Sequence, residues 1–150
     1  ADRTLIDAHV AWTARLEDVL AGGAERPDGE AVPGSLDDLL AQRQTLVSKP
    51  ANEGRGFQVY VGAATGNREW RDACREDPHL PRVIQENCDP LVLPMPAMID
   101  GRAELVDQAI VVSVALIDGR YAGSHVRASA QAVANGARGG ATIAVLRSAP

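Results

Sequence analysis

The first part of the chain carries apolar residues at helical spacing. Between residues 4 and 20 the leucine, isoleucine and valine positions mostly recur three or four apart, and Gly22-Gly23 ends the pattern. Ser35 precedes a second apolar run and is followed by two aspartates, which is typical of a helix N-terminus. We therefore predict a helical lead-in segment over residues 1–44.

From residue 45 onward, short apolar runs and alternating positions predict strands. Residues 45–49 form one strand, and Gly54 and Gly56 make a turn. A second strand follows, whose inward face is expected to carry Phe57, Val59 and Val61.

A short helix over residues 67–76, anchored by Trp70, and a strand over residues 82–86 come next. The hairpin, this helix and this strand together predict a lid-type α+β subdomain over residues 45–87.

The rest of the chain, residues 88–150, is predicted to be a β-rich subdomain. Pro90, Pro94 and Pro96 predict an irregular start. The β-branched residues of 104–117, the Asp118-Gly119 turn and residues 120–127 predict a long hairpin. Residues 141–146 predict a last strand or the start of a helix. Early helices followed by strands indicate an α+β fold, with mixed or antiparallel sheets and flanking helices.

Composition narrows the classes of function. The 150 residues are enough for one domain with its own core, and 45% of them are hydrophobic, as in a globular protein. A net charge of −5 argues against a nucleic-acid partner, which favours a basic surface. No apolar run approaches the roughly 20 residues of a membrane helix, so we expect no membrane partner.

The two cysteines, Cys74 and Cys88, indicate the compartment. They are too few for a structural zinc site without suitably placed histidines. Free thiols are expected, with a disulfide as the alternative. Free thiols, together with the lack of a visible signal peptide, favour a cytoplasmic protein.

Lys49 and the run Gly54-Arg55-Gly56 are the first candidate site. Glycines let the backbone approach a phosphate closely, and a lysine on the flanking strand adds a positive charge. The alternative is an ordinary hairpin with a surface lysine. The Walker order of a phosphate loop is absent.

Two further groups could carry chemistry. Gln85-Glu86-Asn87 lies at a strand end, where backbone groups can read a base and a carboxylate can bind ribose hydroxyls. Arg127 suits a phosphoryl group in transfer, and Asn135 in a glycine-rich run could offer an oxygen to Mg²⁺. The alternatives are a solvated strand end and a flexible loop.

These features occur in an order that resembles the circularly permuted ATP-grasp family, which is related to glutathionylspermidine synthase. The matching pieces are His9-Val-Ala-Trp-Thr13, Leu46-Val-Ser-Lys-Pro50, Gly54-Arg-Gly56, Val59-Tyr-Val-Gly62, Glu69-Trp70, Val83-Ile-Gln-Glu86, Ile117-Asp-Gly-Arg-Tyr-Ala-Gly123, Arg127, Asn135 and Gly139-Gly140. The order is more specific than any single piece, and it spans the chain from about residue 9 to residue 146.

The resemblance implies a ligase that joins a small-molecule carboxylate to an amine or thiol through an acyl phosphate, with ATP and Mg²⁺. In that reading Lys49 holds the α- and β-phosphates under a lid formed by residues 54–56. Residues 85–87 would contact the adenosine. Arg127 would stabilise the transferred phosphoryl group, and Asn135 would lie beside the metal.

One departure bears on activity. The family pattern supplies a carboxylate two residues before the asparagine, where this chain has Val133, and no Asp or Glu occurs from residue 120 to residue 150. Because the chain also begins Ala1-Asp2-Arg3, we expect a fragment of a larger protein that is inactive alone. A family member that has lost catalysis is the alternative. A binding domain that dimerises or docks through residues 104–117 also stays open.

Overall fold

A computed structural model describes residues 8–54, 56–133 and 140–144. The chain divides after Cys88 into two compact units. The first combines a four-stranded antiparallel sheet with short helices, and the second is built around another four-stranded antiparallel sheet. The fold is therefore α+β, as predicted. Among the described residues no helix is both long enough and apolar enough to cross a membrane.

The sheet of the first unit has the strand order β1-β4-β2-β3. Its strands are β1 (Thr13–Arg15), β2 (Leu46–Pro50), β3 (Tyr60–Val61) and β4 (Arg82–Glu86). The strands predicted over residues 45–49 and 82–86 are confirmed. The helix predicted over residues 4–20 is wrong at its centre, because residues 13–15 pair with β4 instead. Tertiary pairing overrides helical spacing there.

Three helices of this unit are α1 (Leu16–Leu20), α2 (Leu36–Ala41) and α3 (Asn67–Ala73). Ser35 caps α2 as predicted, because its hydroxyl accepts the Asp38 backbone N–H at 3.1 Å. Trp70 anchors α3 as predicted, and its indole donates to the Leu39 carbonyl at 2.9 Å. The buried cluster that joins helices and sheet consists of Trp12, Leu16, Val19, Leu39, Leu46, Trp70, Cys74 and Ile84.

The segment between β2 and β3 departs from the predicted strand. Only Tyr60 and Val61 pair with β2, and Phe57 is 52% exposed rather than inward-facing. Gly56 and Gln58 have positive φ angles of 67° and 48°, which interrupt an extended strand. We call residues 51–59 the glycine loop.

The sheet of the second unit follows chain order, β5-β6-β7-β8. Its strands are β5 (Leu91–Ile99), β6 (Arg102–Ile117), β7 (Arg120–Ser129) and β8 (Ala141–Ile143). The Asp118-Gly119 turn is confirmed, with φ angles of 50° and 69° that suit a type I′ hairpin. A second Asp-Gly turn at residues 100–101 joins β5 to β6 and was not predicted.

The irregular segment predicted around Pro94 and Pro96 is wrong, since both residues lie within β5. β5 is an edge strand that pairs only with β6 among the described strands. The two prolines are two positions apart, so their nitrogens lie on the same side of the strand. On an edge strand that side can face away from the partner without loss of a ladder hydrogen bond.

Candidate functional site

The structure brings Lys49 and Gln85 together on one face of the first sheet. The Lys49 ammonium donates to Gln85 Oε1 at 2.6 Å. Strand pairing sets Lys49 opposite Val83 and Val47 opposite Gln85, so these four side chains lie on the same face. They are half-buried, whereas the opposite face of β2 is fully buried against the core.

The Lys49 face carries two cationic side chains, one of which is paired with a carboxylate. Register places Arg15 of β1 opposite Val83, so Arg15 and Lys49 flank Val83. Strand spacing sets the Cα atoms of the two cations about 10 Å apart. Neutral residues fill the other described positions of the face: Thr13, Val47, Val61, Val83 and Gln85.

Lys49 is also the only lysine of the chain, the other residues among the 15 Lys and Arg being arginines. No carboxylate forms an ion pair with it within the described ranges. Arg15, by contrast, forms an ion pair with Glu17. Sequence reasoning missed Arg15 because it assigned residues 13–15 to a helix, and period-two spacing is too weak a signal over three residues.

The glycine loop begins directly after the strand that carries Lys49. The Gly54 carbonyl accepts the Phe57 N–H at 3.1 Å, which closes a turn. A Cβ on Gly54 would meet no atom within 4 Å, so its backbone is open to a ligand. Gly56 uses a left-handed conformation that favours glycine. Arg55, a predicted cofactor contact, lies outside the described residues.

Glu86 and Asn87 lie at the end of β4. Their backbone N–H groups donate to the Trp12 and Thr45 carbonyls at 2.9 and 2.8 Å. The Glu86 side chain projects to the opposite face from Lys49 and pairs with Arg26 at 3.4 Å. Because side chains alternate along a strand, two of the predicted adenosine contacts are separated. Gln85 lies on the same face as Lys49, and Glu86 lies on the opposite face.

Arg26 organises the surroundings of Glu86. Its guanidinium lies over the Trp12 ring at 5.7 Å and hydrogen-bonds Asp28, which together with Glu86 raises the pKa of Arg26. A cavity of about 370 Å³ opens beside this group and includes Glu86 in its wall. The Glu86 side chain is 39% exposed although it contacts Arg26, so its carboxylate is accessible from the cavity.

Arg82 was not singled out from the sequence, although it is only 7% exposed. It donates to Ser48 Oγ at 2.9 Å and to the Gln58 carbonyl at 2.7 Å. Burial lowers the pKa of Arg82, while Tyr60 and Cys74 oppose that effect. A cavity of about 640 Å³ between the loop end and α3 has Arg82 and Gln58 in its wall. No sequence signal distinguishes this arginine from the other strand residues.

Arg127 belongs to the second unit, on β7 between Val111 of β6 and Thr142 of β8. Its Nε is buried and has no hydrogen-bond partner among the described residues. A buried donor without a partner costs free energy. Asn135, the predicted metal ligand, lies outside the described residues.

The described residues contain no group of three or more His, Cys, Asp or Glu side chains placed to hold a metal ion. Cys74 is a buried free thiol and Cys88 an exposed one. Burial raises the pKa of the Cys74 thiol to about 12, which removes it as a thiolate ligand or nucleophile near neutral pH.

Comparison with known proteins gives no relative: no protein-family model, curated protein or solved structure matches the chain.

Proposed function

We propose that this chain is the ATP-binding part of an ATP-grasp ligase that joins a carboxylate to an amine or thiol through an acyl phosphate. The observation that carries the proposal is the Lys49–Gln85 pair on a half-buried sheet face, with Lys49 two residues before the glycine loop. A lysine that forms no ion pair with a carboxylate among the described residues suits a polyphosphate.

Different residues would contact different parts of the nucleotide. Lys49 would hold the α- and β-phosphates, and the open backbone of Gly54 would approach them, with Gly56 supplying the left-handed turn that follows. Gln85, Glu86 and Asn87 are the proposed adenosine contacts. Gln85 would contact it from the Lys49 face, whereas Glu86 projects to the opposite face, so Glu86 and Asn87 would contact it only around the end of β4. Such phosphoryl chemistry depends mainly on positioning and charge neutralisation.

Arg127 would contribute the charge that the reaction needs at the transferred phosphoryl group. A guanidinium matches phosphoryl oxygens in geometry and stays charged throughout the reaction.

The described strand positions of the Lys49 face do not fit Mg²⁺. Mg²⁺ usually takes one or two carboxylates together with substrate phosphates, and none of these positions carries a carboxylate. Asn135 remains the proposed oxygen ligand, and the carboxylates would come from elsewhere in a larger protein. We accordingly expect this chain to bind nucleotide but not to form amide bonds alone.

A catalytically inactive binding or interaction domain is the second candidate, and one observation favours it. The second unit exposes large apolar side chains to an extent that is unusual for an isolated sheet. The most exposed ones on β6 are Leu105 (75%), Val112 (56%), Val114 (58%), Leu116 (65%) and Ile117 (70%).

Calorimetric titration with ATP, with and without Mg²⁺, separates the candidates. Lys49→Gln should weaken ATP binding by about 10- to 100-fold, the value of a hydrogen bond to a charged group. Arg71→Gln, which removes an exposed cation on α3, is the matched control and should bind as the wild type does. No saturable ATP binding, combined with a dimer that Leu116→Asp dissociates, would favour the interaction domain.

A further inference from the structure

Arg82 connects the end of the glycine loop to the strands of the first sheet. The side chain starts on β4, its Nε reaches Ser48 on β2, and its Nη2 donates to the Gln58 carbonyl in the loop. Its guanidinium also lies over the Tyr60 ring on β3, 5.2 Å from the centroid. Ser48 Oγ in turn donates to the Ala73 carbonyl of α3 at 2.7 Å, so the anchor extends to that helix.

Gln58 needs this support because of its backbone conformation. Its φ angle of 48° is left-handed, which costs free energy in a residue that has a side chain. Such a conformation persists only where the surroundings fix it. The charged hydrogen bond from Arg82 to the Gln58 carbonyl, at 2.7 Å, fixes the orientation of the peptide that follows this residue.

Arg82 acts from the opposite side of the sheet from Lys49. Register sets Arg82 opposite Pro50 and Val83 opposite Lys49, so adjacent positions of β4 project to opposite faces. Arg82 can therefore hold the loop without touching anything bound on the Lys49 face.

We propose that Arg82 is a positioning residue that fixes the returning arm of the glycine loop, so that the loop is preorganised to cover phosphates bound at Lys49. This inference rests on the proposed nucleotide site. A loop that is already ordered avoids the entropy of ordering it during binding, which raises affinity without a new contact.

Trypsin cleavage after Arg55 measures the loop directly in the nucleotide-free protein. Arg55 is the only trypsin site between residues 50 and 67, because the bond after Lys49 precedes a proline. Arg82→Met should accelerate this cleavage at least 10-fold. Arg82→Lys should give a smaller increase, since an ammonium cannot donate in two fixed directions. If the methionine variant does not fold, the cleavage rate of the lysine variant still tests the proposal.

Arg43→Met is the matched control. Arg43 is also part-buried and donates to two backbone carbonyls, those of Gly62 at 2.6 Å and Thr65 at 2.8 Å, but it has no hydrogen bond to the described residues of the glycine loop. It should leave cleavage after Arg55 within twofold of wild type at a temperature where all variants are folded. Equal acceleration by the Arg43 and Arg82 variants, or none by the Arg82 variants, would overturn the proposal.

Nucleotide then tests the functional part. ATP should slow cleavage of the wild type, and Arg82→Met should weaken ATP binding about 10-fold while saturating ATP restores slow cleavage. Unchanged ATP affinity in Arg82→Met contradicts the proposal. If ATP does not protect the wild type from cleavage, the nucleotide site is contradicted, and so is the proposal that the loop covers bound phosphates. The comparison without nucleotide would still show whether Arg82 holds the loop.

Discussion

Gly62 offers the most quantitative test of the packing of the first unit. A Cβ at this position would lie 1.9 Å from the Arg43 carbonyl oxygen and 3.0 Å from that of Leu46. Since real Cβ contacts are not shorter than 3.0 Å, Gly62→Ala must displace backbone by about 1 Å. That displacement also breaks the hydrogen bonds from Arg43 to the Gly62 and Thr65 carbonyls.

Overpacking costs about 1–3 kcal/mol, and each charge-assisted hydrogen bond adds about 1.5–3 kcal/mol when lost. The overpacking and the two lost hydrogen bonds together cost at least about 4 kcal/mol, so we expect Gly62→Ala to lower the free energy of unfolding by about 4 kcal/mol, which for a unit of this size lowers Tm by roughly 16–32 °C.

Urea unfolding followed by tryptophan fluorescence measures the effect of Gly62→Ala, because the only two tryptophans, Trp12 and Trp70, lie in the core of this unit. Gly66→Ala is the control, since a Cβ there meets no atom within 4 Å. If both variants unfold within 0.5 kcal/mol of each other, about the size of an ordinary surface substitution, the close approach at Gly62 is refuted.

Two further predictions concern titratable groups. Cys88 should react with a thiol reagent in the native protein near pH 8, and Cys74, with its pKa raised to about 12, only after unfolding, so two thiols reacting at once would contradict its burial. Ser35→Ala should cost about 1 kcal/mol at neutral pH. Hydrogen bonds from Ser35 and Gly34 hold the pKa of Asp38 below its usual 3.8, so this difference should persist above about pH 4 and shrink as acid protonates the folded-state carboxyl. A difference that grows in acid would contradict it.

Local signals predicted those elements that local physics determines. The Ser35 cap, the Trp70 anchor and the Asp118-Gly119 turn were readable because each depends on residue types at fixed spacing. β1 was not, because residues 13–15 form a strand only through pairing with β4, about 70 residues later in the chain. The strand β5 was not predicted for a related reason. A strand tolerates prolines only at the edge of a sheet, and the edge position is defined only by the complete sheet.

The candidate site divides in the same way. Lys49 and the glycines stand out in the sequence because of their type and order. The 2.6 Å contact to Gln85, the second cation at Arg15 and the anchor at Arg82 all arise from strand register. Register is fixed by long-range packing, so these partners could not be predicted from the sequence alone.

The most direct test of the central claim is the labelling of Lys49 by an acyl-phosphate derivative of ATP, which acylates a lysine amine held beside the phosphates. Because Lys49 is the only lysine, the N-terminal amine is the only competing amine and serves as an internal control. We predict that Lys49 is acylated well above the N-terminus and that free ATP abolishes this labelling without affecting the N-terminus. Labelling of Lys49 that equals the N-terminal level, or that free ATP leaves unchanged, would contradict the nucleotide site.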